Sequence, residues 1–320
     1  MKEGFLIGGG IIFVGLMLDL SVGSVEWDVF RWPVNGIVLA GFLGVIAAVF
    51  LLRKKVYGFQ FIGTYRAAIP ALVYAVVLTI IMGLIRQKSP TSGPLPPSGG
   101  AGGDFEGSLW LNNMLSFWPF VLTYVYLALI LGLVVLRQLQ TWAVAKFLIL
   151  HFRFSMLSHL GLFLAMTTAT LGNADVQRLK MMTVKGVPER RALTPQQRVV
   201  QMPIAIELKE FIMDTYDDGS PRRFVSDIQI LTKTGKTIQT TVEVNKPVEV
   251  DGWKIYQYGY DTQMGEMSEI SILELVSDPW LPLVYAGIYM MLGGAVCMFM
   301  FGGRKKMHQS PHNSQSSMSK

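Results

Sequence analysis

Apolar residues are distributed along this chain in two regimes. Long, nearly uninterrupted runs occupy residues 5–20, 34–52, 67–85, 117–136, 147–171 and 281–301. A helix needs roughly 20 such residues to cross the hydrocarbon core of a bilayer, so the pattern predicts six spans. Between residues 173 and 279 the period changes to an alternation of apolar and polar positions, the pattern of strands with one buried face. Ile204, Ile206 and Leu208 alternate with Ala205, Glu207 and Lys209, and residues 225–231 and 237–244 repeat the pattern around Thr234-Gly235-Lys236. A second turn at Asp251-Gly252 separates residues 248–250 from 253–258, and residues 270–276 supply a further strand. About six strands with short turns and no crossover helix predict an antiparallel sandwich or open barrel. The expected fold class is a membrane protein of about six transmembrane α-helices plus an extracytoplasmic antiparallel β domain.

The punctuation of the chain predicts its organisation. Residues 1–58 read as a separable N-terminal transmembrane hairpin, closed on its far side by residues 21–33 and ended by Arg53-Lys54-Lys55. Residues 59–172 hold spans three to five, with the Pro/Gly/Ser-rich stretch 89–103 as a flexible outer loop and residues 109–116 as a short interfacial helix. Residues 173–279 form the β domain, 280–303 the last span and 304–320 a polar, disordered cytoplasmic tail. Read instead as a secretory signal, the first span lacks a good small-residue cleavage pattern and carries Asp19 near its end.

Composition agrees with the spans: 51% of residues are hydrophobic, only 16% are charged and the mean hydropathy is +0.40. The placement of charge adds an orientation, because cytoplasmic loops carry the excess of Lys and Arg. With the N-terminus inside, 12 basic residues fall at the cytoplasmic side, Arg53, Lys54, Lys55, Arg66, Arg137 and Arg153 among them, against Arg31, Arg86 and Lys88 outside. The expected topology thus has both termini cytoplasmic and the β domain exported. Residues 173–279 contain 13 basic and 16 acidic side chains, so the net charge of +6 belongs to the membrane portion and its flanks and implies no nucleic-acid partner. Trp27, Trp32, Trp110, Trp118 and Trp280 fall at predicted outer ends and Trp142 at an inner one, as interfacial anchors do. The single cysteine, Cys297, excludes an internal disulfide or a Cys-x-x-Cys redox pair in this chain.

Few side chains are placed for chemistry. Motifs for a zinc protease, a serine hydrolase and a phosphate-binding loop are absent from the sequence. Asp217-Asp218-Gly219 reads as a turn. His308 and His312 lie in the polar tail, and His151 sits beside Arg153 where a snorkelling role is the plain reading. His159 differs, because it lies near the middle of the fifth apolar run, where a polar side chain is costly and marks a function or a buried partner. A neutral imidazole there either makes an interhelical hydrogen bond or ligates a metal through one ring nitrogen. Met156 and Phe163 share its helical face and serve a flat apolar ligand or helix packing equally well. On the strand predicted at residues 253–258, Trp253, Ile255 and Gln257 face one side and Lys254, Tyr256 and Tyr258 the other.

Three ordered segments resemble the ResB (CcsB) family, the membrane partner of CcsA in the system II pathway that attaches haem to exported c-type cytochromes. Residues 158–172, SHLGLFLAMTTATLG, are similar to the family's His-Leu-Gly segment. Residues 244–261, VNKPVEVDGWKIYQYGYD, resemble its Asn-x-Pro and following Ile-Tyr-Gln strand, and residues 278–294 its Asp-Pro entry to the final span. With SFWPFVLTY at residues 116–124, the likeness extends over about residues 66–303. It implies that His159 takes the place of the family's intramembrane histidine, an axial ligand of transient haem b, with no catalytic residue in this chain. It also implies a CcsA-like haem-handling partner and an apocytochrome c, with Trp253, Tyr256 and Tyr258 as candidate docking residues. The alternative is a non-catalytic scaffold that presents the β domain to a partner while His159 only packs. A solute transporter is disfavoured, since the sequence has no clear internal repeat. The exported domain is short for the family and the first hairpin is additional to it.

Overall fold

The computed structural model describes residues 1–85, 87, 111–144, 150–218 and 220–302. The stretch 89–103, the tail 304–320 with His308 and His312, and the side chain of His151 lie outside the described residues.

The chain folds as α1 (Lys2–Val22), α2 (Val34–Leu52), α3 (Tyr57–Ile62), α4 (Tyr65–Leu84), α5 (Trp118–Val144), α6 (Leu150–Gly172), eight strands, and α7 (Leu281–Gly302). All but the short α3 are long and apolar enough to cross a membrane, which makes this a multi-pass membrane protein. Residues 111–116 form a 3₁₀ helix where a short interfacial helix is expected. The largest departure from the predicted spans is α5, which runs on to Val144 where hydropathy stops at 136. Arg137-Gln138-Leu139-Gln140 ends the apolar run but consists of good helix formers. Its polar groups find partners at that end of the bundle: the Arg137 guanidinium donates to the Gly63 carbonyl, and Arg53 Nη2 donates to Gln140 Oε1 at 2.7 Å.

Helix α5 is the centre of the bundle. In its most apolar window 56% of residues are buried inside the protein, against 28% or less in every other span. Helix α1 packs on α4 and α5 through small residues, with Gly4 against Arg66 and Pro70, Gly8 against the Tyr74 ring and Gly15 against Pro119. Helix α2 takes different neighbours, α5 and α6, where Ile46 and Val49 close on Leu133. Residues 1–58 thus pack against the rest of the bundle, α1 and α2 on partly different helices. The reason is the glycine spacing on α1, which lets backbone approach backbone where lipid supplies no hydrophobic drive.

The β domain is one antiparallel sheet of eight strands in the order β5-β4-β3-β2-β1-β8-β7-β6. These are β1 (Gln177–Val184), β2 (Pro188–Leu193), β3 (Val199–Thr215), β4 (Pro221–Leu231), β5 (Thr237–Glu243), β6 (Val248–Val250), β7 (Trp253–Tyr260) and β8 (Ile270–Ser277). The sheet rolls until β5 approaches β6 and β7 without pairing with them, giving an open barrel. The roll is led by β3, 17 residues long, whose ladder with β4 is bulged between Leu208 and Glu210. Ile204, Ile206, Leu208, Ile228, Ile230, Ile255, Leu273 and Leu275 are wholly buried inside it. The turn at Asp251-Gly252 forms with φ of +51° and +83°, the two left-handed residues that a two-residue hairpin favours. Strands β1 and β2 lie outside the six expected; β1 alternates, burying Leu179, Met181 and Thr183, whereas β2 is the charged run PERRAL and buries only Ala192 fully.

Asp175 joins domain to bundle. Its carboxylate accepts from the Trp32 backbone N–H (2.9 Å), Asn35 Nδ2 (2.7 Å) and Trp280 Nε1 (2.6 Å), tying the starts of α2 and α7 to the end of α6. Trp118 Nε1 donates to the Gly23 carbonyl at 2.8 Å, so tryptophans gather at the end of the bundle that carries the β domain.

Candidate functional site

The site begins at the contact of α6 with α7. A Cβ on Gly161 would lie 2.5 Å from the Gly287 carbonyl oxygen and 2.9 Å from Met290 Cβ, and one on Gly287 would lie 2.6 Å from the Ala165 backbone nitrogen. A Cβ on Gly294 would likewise sit 2.7 Å from the Phe154 carbonyl oxygen, and Ser158 Oγ donates to the Met291 carbonyl at 3.2 Å. The glycine of the His-Leu-Gly segment is therefore explained by backbone contact between helices. Because Gly161 faces α7, the histidine two residues before it is carried round to α5.

On that face, His159 Nδ1 lies 2.7 Å from the Ser155 carbonyl oxygen, one turn earlier on α6. A carbonyl only accepts, so Nδ1 carries the ring hydrogen and donates it. Nε2 is left with the lone pair, and it has no hydrogen-bond partner among the described residues. Gln138 of α5 completes the group, with its Nε2 3.3 Å from His159 Nδ1 and 3.4 Å from Ser155 Oγ. Its Oε1 is buried without a partner among the described residues. An imidazole held in this way presents Nε2 alone as a donor nitrogen to any metal or cofactor. Among the described residues no three His, Cys, Asp or Glu side chains converge as a bare metal ion would need.

The site lies close to the middle of α6, displaced slightly toward the end of the bundle that carries Arg137. His159 is 9 residues from Leu150 and 13 from Gly172, and it meets Gln138, the residue next to Arg137. It thus lies two residues from the midpoint of α6, on the Arg137 side. Sixteen residues separate it from Asp175, about 24 Å at 1.5 Å per residue. Phe163, one turn beyond His159, is spent on packing: a Cβ on Gly132 would touch both Phe163 (3.1 Å) and Ile46 (2.7 Å). Sequence reading left out Ser155 and Gln138. Ser155 was legible as the i−4 partner of His159, and Gln138 stood in a polar run at the end of an apolar span.

At the other end of the bundle a cleft of about 540 Å³ opens between the helices and the β domain, lined by Arg31, Trp32, Asp175, Gln177, Pro279 and Trp280. On β7 the two faces separate as expected: Ile255 and Gln257 are buried, while Tyr258 is 52% exposed with Lys180 Nζ 3.8 Å above its ring. Gln257 is held inside by Ser226 Oγ (2.6 Å) and by its own bonds to Ser271 Oγ and the Gly259 carbonyl. Trp253 packs half-buried against the barrel core, and Tyr256 is half-buried opposite Glu274 of β8.

Residues 153–272 match the ResB-like family. The matched segment begins one turn and a half before His159 and runs through the barrel into β8, so it contains two of the segments that carry the resemblance and leaves residues 116–124 and 278–294 outside. Among solved structures, Cytochrome c Heme Lyase CcmF is similar, with a TM-score of 0.37 and 14% identity, over 83% of this chain and 45% of that one. The chain thus spans less than half the length of that structure. No curated protein matches.

Proposed function

We propose that this ResB-like chain is a haem-ligating membrane subunit of a system II cytochrome c synthase, in which His159 Nε2 is an axial ligand to haem b in transit. The observation that carries the reading is the 2.7 Å contact of His159 Nδ1 with the Ser155 carbonyl, which leaves Nε2 as a free lone pair. The bias of basic residues supports a cytoplasmic setting for the Arg137 end of the bundle, and an exported barrel. His159 stands about 24 Å along α6 from the barrel junction, so a haem held by it would be too far to meet an exported apocytochrome directly. His159 therefore serves reception and orientation. Thioether formation belongs to the outer surface of a CcsA-like partner, which also supplies the remaining haem ligands. The barrel, with the exposed Tyr258, is the docking element for that partner or for apocytochrome c. What the chain itself contributes is a fixed imidazole tautomer and a lipid-buried, water-poor setting, the protein's usual share in cofactor chemistry.

The test is purification of the chain with its partner from haem-replete cells. The complex should show a Soret band that His159→Ala removes while the protein remains inserted, and added imidazole should restore part of cytochrome maturation. The 3.3 Å approach of Gln138 to His159 favours a second reading, a scaffold in which the imidazole only links two helices. His159→Gln separates them, since it keeps a polar interhelical contact but supplies no ligand nitrogen. Normal maturation in that variant would leave the scaffold as the better account.

A further inference from the structure

The Gln138 amide is mismatched where it stands. Its Nε2 faces His159 Nδ1, which already carries a hydrogen donated to the Ser155 carbonyl, so two donors meet at 3.3 Å while Oε1 lies buried without a partner. A half-turn about the terminal bond of the side chain exchanges the amide oxygen and nitrogen without changing its shape. In that orientation Oε1 accepts from both donors in reach, His159 Nδ1–H and the Ser155 hydroxyl, and the mismatch disappears at this end. The three groups come from α5 and α6 and lie beside one another. An unmatched pair of buried donors is expensive, which favours the exchanged orientation at this contact, with the amide nitrogen then in the place of Oε1.

We infer that Gln138 is the positioning residue of this site: its amide oxygen, with the Ser155 carbonyl, holds the hydrogen of His159 on Nδ1 and so keeps Nε2 as the sole lone-pair nitrogen. This deepens the proposed function and rests on it for its purpose, while its geometry stands without haem. A ring hydrogen bond to a second acceptor also raises the electron-donating power of the ligating nitrogen, and the loss of such a partner costs about 10–100-fold in metal affinity.

The experiment is ¹⁵N NMR of histidine-labelled, haem-free, full-length protein in lipid nanodiscs, with His159 identified by the resonances that His159→Asn removes. The wild type should show one tautomer, hydrogen on Nδ1. Gln138→Leu should bring in the Nε2–H tautomer and mobilise the ring, and should weaken the titration of iron protoporphyrin, read by its Soret band, by about 10–100-fold. Gln138→Glu keeps an acceptor oxygen, so it should retain the Nδ1–H tautomer and move that proton downfield. It serves as the second arm if Gln138→Leu does not insert. A single unshifted Nδ1–H tautomer in either variant overturns the inference, because the Ser155 carbonyl would then suffice alone. Tautomer changes in a protein that never binds the porphyrin would leave Gln138 as the positioning residue and remove only the haem reading.

Discussion

Replacing Gly161 by alanine tests the helix contact on which the site is built, and the expected sign is opposite to that of helix propensity. In an open helix Gly→Ala stabilises by about 1 kcal/mol, because alanine restricts the unfolded backbone. At Gly161 the new Cβ would meet the Gly287 carbonyl oxygen at 2.5 Å and Met290 Cβ at 2.9 Å, with the Met291 backbone nitrogen also in contact. Ordinary carbon contacts lie at about 3.5–4.0 Å, so α6 and α7 must separate by about 1 Å. A gap of that size forfeits a quarter to a half of the dispersion energy of each pair along the seam, and overpacking of this kind typically costs about 1–3 kcal/mol. Net destabilisation of about 0–2 kcal/mol is expected once the propensity gain of about 1 is subtracted, against stabilisation by up to about 1 in an open helix. Gly293, on α7, is the control, since a Cβ there meets nothing within 4 Å and alanine should be neutral or mildly stabilising. Thermal unfolding in mild detergent, followed by helical circular dichroism, compares the two variants with the wild type. A Gly161→Ala protein as stable as Gly293→Ala would refute the close approach and, with it, the account of how His159 is turned toward α5.

Other outcomes follow from the barrel and its junction. Leu273→Ala removes a wholly buried core side chain and should destabilise the barrel by about 2–5 kcal/mol, against less than about 0.5 for Met182→Ala, which is 57% exposed; urea unfolding followed by Trp253 fluorescence reads both. Asp175→Ala leaves the Trp32 amide, Asn35 and the Trp280 indole without their acceptor, at about 1–3 kcal/mol, and should speed hydrogen exchange of the Trp280 ring N–H. Hydrogen bonds from Arg223 and Lys246 hold the Glu243 carboxyl down at about 2, as those from Arg191 hold Glu189 at about 2. Their contribution to stability is therefore present above the usual carboxylate range near 4.5 and lost as pH falls toward 2. The thermal midpoint of the barrel should drop across that window, and less so in Glu243→Gln. Protease added to intact spheroplasts should cut within residues 173–279, and protection there with cleavage only in inside-out vesicles would reverse the orientation.

The six spans were legible because crossing a bilayer is a one-dimensional demand, set by the length and polarity of a single segment. The hairpins of the barrel were legible for a similar reason: alternation and a turn such as Asp251-Gly252 are local signals. His159 stood out because an imidazole near the middle of an apolar run is costly unless it has a polar partner or a ligand. What the chain alone left open depends on pairs of residues far apart in sequence. That β2 is a strand at all follows from the open edges of β1 and β3 on either side of it, since PERRAL carries no alternation of its own. How residues 1–58 pack against the rest of the bundle was open too, with α1 meeting α4 and α5 while α2 meets α5 and α6. Gln138 and His159 are 21 residues apart on different helices, and only the packing of α5 on α6 brings them together. The tautomer of the imidazole is decided there as well, because it depends on which acceptors the folded bundle places within reach of Nδ1.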